Sequence, residues 1–350
     1  MSRRGLGIAR CLVLLLLLTG VCMAQAPSPQ TPLTPEPDRR GVEQTYLTYP
    51  EWFLVFSSAE YADFVRSQPP SRFPFIGHVR QFWRGYAAVD SAIRDKYPPN
   101  DEYHTMIRVI GVSTSIEYGL RRAYESLIGR LSEATTAYPA TDEDQLAARA
   151  AQEYVDFIRL RPWYEFDFAS RLRAVWTAPW WGKDPLRKWE RKYALTTEFA
   201  AKALYGWVIR KATHAAYGEA RDTTLAVIDH LPDGLETELP KLTPLAPPDE
   251  RGVLVSLPRY EPFSHYASVL AQRQVRFVEI AGNRSLILVT ALTPRGWAAP
   301  AEFGAPLFVE PVMTRPDRQR VALQVPVAAL DQALRTLSQP PMVLEHVFDY

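Results

Sequence analysis

"VLVSLPRYEPFSHYASVLAQRQVRFVEI", residues 253–280, decides the fold. It opens on an apolar, β-branched run and closes on "VRFVEI", 275–280. Between them Phe263, Tyr266 and Leu270 recur at helical spacing. Apolar residues at i, i+3 and i+7 make one face of a helix, whereas short β-branched runs make strands. The stretch therefore reads strand, helix, strand. Upstream the apolar period is that of helices, and from residue 252 it turns to β. The chain is expected to be α+β in two parts: a Trp-rich, all-helical N-terminal domain and a mixed C-terminal one.

Downstream, "SLILVTAL" (285–292) follows Ala281-Gly282-Asn283-Arg284, which reads as a hairpin turn. "PLFVEPV" (306–312) is another strand, and Val321, Leu323, Val325 and Val327 alternate along the next. Leu330, Leu334 and Leu337 mark a helix, and "MVLEHVF" (342–348) closes the set. The order is β-α-β-β, then β-β-α-β. This resembles a ferredoxin-like α/β sandwich with an extra hairpin. The resemblance covers residues 252–350 and implies a fold alone, since such folds host many functions.

Residues 43–218 read as the helical domain. Ser57 and Glu60 have capping-box spacing. Ile76, Val79, Trp83, Tyr86 and Ile93 keep helical spacing. Asn100 is placed to cap a long helix reaching about Leu131. Thr141, followed by Asp142, Glu143 and Asp144, starts another. Asp184-Pro185 is an N-cap and first-turn pair for a helix running to about Ala215, near Gly218. Residues 219–251, with Pro240, Pro244, Pro247 and Pro248, read as a connector. No repeat at solenoid periods is visible.

The first 26 residues read as a secretory signal. Arg3, Arg4 and Arg10 precede the apolar run Cys11–Val21, and Ala24-Gln25-Ala26 has the form of a cleavage site. The run is short for a membrane span, although an uncleaved segment would serve as an inner-membrane anchor. Residues 27–42, with five prolines, read as a solvated tether. Both cysteines, Cys11 and Cys22, lie in the signal, so no disulfide or thiolate chemistry is expected of the exported chain. The full chain carries +1, and losing the three signal arginines leaves −2. That near-neutral balance and export both argue against nucleic acid as a partner. The expected address is periplasmic or extracellular.

Several chemistries have no motif. No phosphate loop, H-E-x-x-H, G-x-S-x-G or S-x-x-K occurs outside the signal, and the six histidines are scattered. No metal and no cofactor is expected. Three constellations remain. On the helix after Asn100, Glu117, Arg121 and Glu125 stand at successive i+4 positions. A solvated ion-pair face is the plain reading; a polar pocket with Ser113 and His104 is the sharper one. In "TYLTYPEWFLVF" (45–56), Glu51 sits at a helix start or lines a cleft. In "RPWYEFDF" (161–168), Glu165 and Asp167 are carboxylates among aromatic platforms, which a glycosidase would need. On a helix they would point apart; on a strand they would share a face.

The third is "PWWGKDPLRKWERKY", 179–193. Six of nine tryptophans fall between Trp163 and Trp207. From Arg171 to Lys192 seven cations face two acids. Leu186, Trp189, Tyr193, Ala200, Leu204 and Trp207 share one side of the helix and are expected to pack inward. Arg187, Lys188, Arg191 and Lys192 fall elsewhere and are expected to reach water. Trp180, Trp181 and Lys183 lie on the preceding loop.

The leading expectation is a non-enzymatic, exported cell-envelope protein. It would bind an anionic membrane surface or another envelope protein through the basic, Trp-rich patch. A basic helix bordered by aromatics suits such an interface. The alternatives are an envelope glycan hydrolase using Glu51, Glu117, Glu165 and Asp167, and a small-ligand carrier.

Overall fold

The computed structural model describes residues 31–137, 140–216, 222–235 and 237–349, and for 212–216 the helix alone. The expected signal, residues 27–30 of the expected tether and Gly218 lie outside the described residues. Residues 33–350 form one compact unit. Its N-terminal part is helical and its C-terminal part carries two antiparallel four-stranded sheets, an α+β fold in two parts.

The helices are α1 (Gln44–Leu47), α2 (Tyr49–Phe64), α3 (Phe75–Ile93), α4 (Asp101–Tyr124), α5 (Arg130–Ala134), α6 (Asp142–Ile158), α7 (Phe168–Thr177) and α8 (Pro185–Ala216). Local chemistry sets three of the starts. The Asn100 side chain accepts the Tyr103 amide, and Thr141 and Asp144 form a reciprocal capping box. Such caps satisfy amides that the first helical turn leaves unpaired. Pro185 opens α8 as expected, while the Asp184 carboxylate before it accepts the Ala137 amide at 2.9 Å. Glu125–Gly129 is one π-helical turn that joins α4 to α5. Ser57 caps nothing. It lies inside α2, fully buried, and shares a 2.8 Å hydrogen bond with the Tyr118 hydroxyl. The helix starts eight residues earlier, at Tyr49, with Pro50 in its first turn.

The strands are β1 (Thr223–Ile228), β2 (Thr243–Pro244), β3 (Val253–Pro258), β4 (Phe277–Ile280), β5 (Leu286–Pro294), β6 (Pro306–Pro311), β7 (Arg318–Pro326) and β8 (Val343–Val347), with α9 (Glu261–Gln272) and α10 (Leu330–Leu337). One sheet has the order β2-β3-β1-β4 and the other β6-β7-β5-β8. The stretch 219–251, read as a connector, thus supplies β1, a buried strand in mid-sheet, and the short edge strand β2. The 281–284 turn is not a hairpin. Ala281 and Gly282 have positive φ as a tight reversal requires, but β4 and β5 leave it for different sheets.

The two sheets are one plan used twice. Each runs β-β-β-α-β with the same order. Ala226 faces Val255 and Ile280, as Val289 faces Leu323 and Val347. Pro244 opposes Val255 as Pro306 opposes Leu323. The register slips after Val227 in one and after Thr290 in the other, at matching positions.

Alternation along the strands decides what each face meets. Ile287, Val289, Ala291, Val321, Leu323 and Val325 face a core shared with α9, α10 and the first sheet. Leu288 and Ala322 face the other way, among Tyr46, Leu47, Tyr49, Phe53 and Phe82 of the helical part. The Thr45 hydroxyl donates to the Phe348 carbonyl and accepts the Leu288 amide. Part of the expected tether is bound rather than solvated. Glu279, fully buried on β4, accepts the Leu33 and Thr34 amides and the Thr34 hydroxyl, and Arg40 donates its amide to the Ala281 carbonyl. A buried carboxylate needs such donors, and prolines do not prevent their neighbours from supplying them.

Candidate functional site: an ion-paired cleft beneath an uncharged face

Helix α8 is turned the opposite way from expectation. Arg187, Lys188, Arg191 and Lys192 are at most 3 % exposed. Leu186, Tyr193, Leu204 and Trp207 point out, each more than half exposed. Spacing tells which residues share a face but not which face is buried. Here acids on neighbouring helices settle it. Glu143 of α6, fully buried, takes Lys188 at 2.8 Å and Lys192 at 3.2 Å. Asp144 takes Arg187 at 2.9 Å, and Glu125 takes Arg191 at 3.0 Å. Glu190 accepts from Arg187, Tyr124 and Ser132. Lys192 also donates to the Val175 and Ala178 carbonyls. Buried charges persist only when paired and hydrogen-bonded in this manner.

The outward surface is correspondingly bare of charge. On α4 and its continuation, the residues exposed between Arg108 and Arg130 are uncharged: Val109, Val112, Ser113, Ile116, Leu120, Ala123, Leu127 and Ile128; the part-exposed Glu117 among them is ion-paired with Arg121 and Lys202. On α8 the same holds between Lys183 and Arg210. Each run covers about 30 Å at 1.5 Å per residue. The N-terminal end of the α8 run carries a tryptophan cluster. Trp176, Trp180 and Trp181 are 40 %, 53 % and 76 % exposed. Each ring lies within 6.4 Å of the half-buried Trp189 ring. At the far end Lys211 sits 4.3 Å over the exposed Trp207 ring. Of the seven cations between Arg171 and Lys192, Arg173 and Lys183 are exposed.

α4 and α8 run antiparallel and are bridged by an ionic quartet. Glu117 and Arg121 come from α4, Glu198 and Lys202 from α8. Arg121 pairs with Glu198 and, at 3.2 Å, with Glu117. Lys202 reaches Glu117 at 3.2 Å and Glu198 at 3.0 Å. Burial alone would raise the Glu198 carboxyl, but Arg121 and Lys202 outweigh it and hold it down to about 2. Glu117 is lowered against the same burial effect, by Lys202 and Arg121. The quartet is therefore fully ionised near neutrality and has no net charge. It stands at one side of a cavity of about 120 Å³ whose other walls include Tyr61, Ala150, Phe166, Phe168 and Phe199. Arg121 stacks over Tyr61 at 5.3 Å and Lys202 over Tyr154 at 5.4 Å.

Glu117 and Arg121 thus enter a pocket, as the sharper sequence reading expects, but not with the partners named for them. Ser113 is exposed and bonded to the Val109 carbonyl. His104 bonds the Tyr86 hydroxyl at 2.9 Å. Glu51 accepts a 2.5 Å hydrogen bond from Tyr103, and burial raises its carboxyl. Glu165 is an exposed partner of Arg161, and Asp167 caps α7 through the Ser170 amide. Of the four carboxylates weighed for glycan hydrolysis, Glu117 alone lines the cavity. Sequence reasoning missed Glu198 and Lys202. Their i+4 spacing, acid then cation as in Glu117 and Arg121, was the available signal, because on antiparallel helices it sets each acid against the other helix's cation. Among the described residues no group of three or more His, Asp and Glu side chains is placed to hold a metal, and no helix is long and apolar enough to cross a membrane.

No family model, curated protein or solved structure matches the chain.

One buried acid outside the cleft sets a pH dependence. Asp349, 3 % exposed, has its carboxyl pushed up to about 8 by burial, against the pull of Arg259. A raised carboxyl favours the folded state while protonated, and that contribution is lost as pH rises through 8. Stability is expected to fall by about 1 kcal/mol between pH 7 and pH 9. Urea unfolding at the two values measures it. Asp349→Asn should remove most of the difference; an equal slope in the variant assigns it to another group.

Proposed function

We propose that this is a non-enzymatic, exported cell-envelope protein that docks on a membrane surface through α4 and α8. The observation that carries the reading is the pair of uncharged outward faces, about 30 Å long, over helices whose charges are turned inward and paired. Soluble surfaces rarely leave so large an apolar patch uncovered. A lipid surface, rather than another protein, fits the aromatic borders: Trp176, Trp180 and Trp181 at one end, Tyr205 and Trp207 at the other. Trp and Tyr favour the boundary between head groups and hydrocarbon. In-plane helices lie with their apolar face in that boundary. The basic patch that motivated an anionic surface is largely inside the protein, so attachment is expected to be apolar. Its salt dependence should be weak, because screening acts on exposed charges.

Flotation of residues 27–350, which contain the whole compact unit, tests this without the apolar leader. Neutral phosphatidylcholine vesicles should retain the protein at low and high salt alike. Ile116→Glu with Leu204→Glu should cut retention by about tenfold or more, since a carboxylate resists burial in hydrocarbon. A protein that does not float but elutes at twice its mass would give this face to a second copy. Capture by an envelope protein without flotation would likewise end the lipid reading.

We also infer that each β-β-β-α-β unit is ferredoxin-like. Support comes from the strand order, edge-4-1-3-2 in each unit's own count, and from the antiparallel pairing of every neighbour. The first crossover of each unit departs from that pattern: it holds no α-helix among the described residues.

A further inference from the structure

We infer that the cleft between α4 and α8 binds a small zwitterion with a short apolar group, a free apolar α-amino acid. The inference stands on the cavity and is independent of membrane docking.

Size comes first. An engineered cavity of about 150 Å³ accepts benzene, so one of about 120 Å³ suits a ligand of about six to eight non-hydrogen atoms, more if its polar end stays at the rim. Depth then orients it. The quartet is nearer to solvent: the Glu117 and Glu198 side chains are 41 % and 28 % exposed. Phe166, Phe168 and Phe199 are 3–6 % exposed and deeper. An apolar group belongs inside and a charged one at the rim.

Electroneutrality selects the charged end. The quartet already sums to zero. An added carboxylate or ammonium alone would bring an uncompensated charge into a partly desolvated site, which is costly. A zwitterion adds none. The quartet also has capacity left for both of its ends. A guanidinium has five donors and an ammonium three. The bonds described engage Nε and Nη2 of Arg121 and two directions about Lys202, all on Oε1 atoms of Glu117 and Glu198. The remaining donors suit a ligand carboxylate, and the Oε2 atoms suit its ammonium. Ala147, Ala150 and Ala151 of α6 keep the apolar end open, since larger side chains there would fill it.

Titration calorimetry of residues 27–350 tests the inference with valine as probe, against isovalerate and isobutylamine, which keep its shape and lose one charge each. Valine should bind at least about tenfold more tightly than either, the factor one charge-assisted hydrogen bond carries. Tryptophan, too large for the cavity, should not bind. Ala150→Phe should abolish valine binding with helical circular dichroism unchanged. If that variant does not fold, Ala151→Leu, at a less buried position, makes the same test. No heat with valine at millimolar concentration overturns the inference. So does equal binding by the single-charge analogues, or unchanged binding in a folded cavity-filled variant. Each readout is separate from flotation, so either proposal can fail without the other.

Discussion

Glu143→Gln is expected to cost about 3–5 kcal/mol of unfolding free energy, because it strands buried charge. Glu143 is fully buried on α6 and is shared by two ammonium groups, Lys188 and Lys192, that are 2 % and 0 % exposed. The amide keeps the shape and can still accept a hydrogen bond. What it removes is the charge that makes two buried cations tolerable. Asp142 lies 3.5 Å from Lys188 but is two-thirds exposed, so water screens it and it is a weak substitute. Lys192→Met should cost less. It leaves Lys188 balanced by Glu143 and orphans the Val175 and Ala178 carbonyls, a loss of about 1–3 kcal/mol. Urea unfolding of residues 27–350 and both variants gives the order. If Lys192→Met proves the more damaging, the carbonyl contacts hold α8 to α7, and the ion pairs do not orient it.

That order matters because α8 is where sequence and structure part. The period was legible: Leu186, Tyr193, Leu204 and Trp207 do share a face, and Arg187, Lys188, Arg191 and Lys192 share another. The polarity was not. An amphipathic pattern has two ends of contrast, and the usual choice buries the apolar one. Here the counter-charges that reverse the choice lie 43 to 66 positions upstream, at Glu125, Glu143 and Asp144. Asp142-Glu143-Asp144 was read as helix-start electrostatics, which is correct for Asp144 in its capping box. The same three acids were also the missing balance for the cations after Lys183. A local excess of cations with no visible partner is thus as much a search for distant acids as a sign of an outward patch.

The sheets show the opposite lesson. Of the eight strands among the described residues, six were legible in order, with α9 and α10, because alternation and turn residues are local signals. Their assignment to sheets was not. "VLVSLP" at 253–258 and "VALQVP" at 321–326 are equivalent strands of two copies. The repeat stays hidden without β1, and the prolines at 240–248 drew its neighbourhood into a connector. Thr223–Ile228 is a short apolar run with no periodicity of its own, which burial in mid-sheet permits.

Arg320→Met is expected to be as damaging as the Glu143 variant, at about 3–5 kcal/mol, and to act at the junction of the two parts. Arg320 of β7 is 1 % exposed. It donates to Glu345 of β8 at 2.6 and 2.8 Å and to Glu60 of α2 at 3.0 Å, with its guanidinium 4.7 Å from the Phe56 ring centroid. His78 stands 3.6 Å from Glu60, but burial, and then Arg320, push its imidazole down to about 3, so it brings no cation near neutrality. Removing Arg320 therefore leaves two part-buried carboxylates, their side chains 10 % and 9 % exposed, without their shared cation. The cost should come from their repulsion and lost solvation rather than from missing volume, since methionine fills much of the arginine stem. The triple variant Arg320→Met, Glu60→Met, Glu345→Met separates the two causes. If charge is responsible, most of the loss is recovered, because well-packed apolar residues replace buried ion clusters at little cost. If the triple variant is worse than the single one, the cluster is instead the specific joint that sets α2 against the β6-β7-β5-β8 sheet. Thermal unfolding followed by both tryptophan fluorescence and far-ultraviolet circular dichroism would then show the helical part and the sheets melting apart, where the parent chain melts in one step.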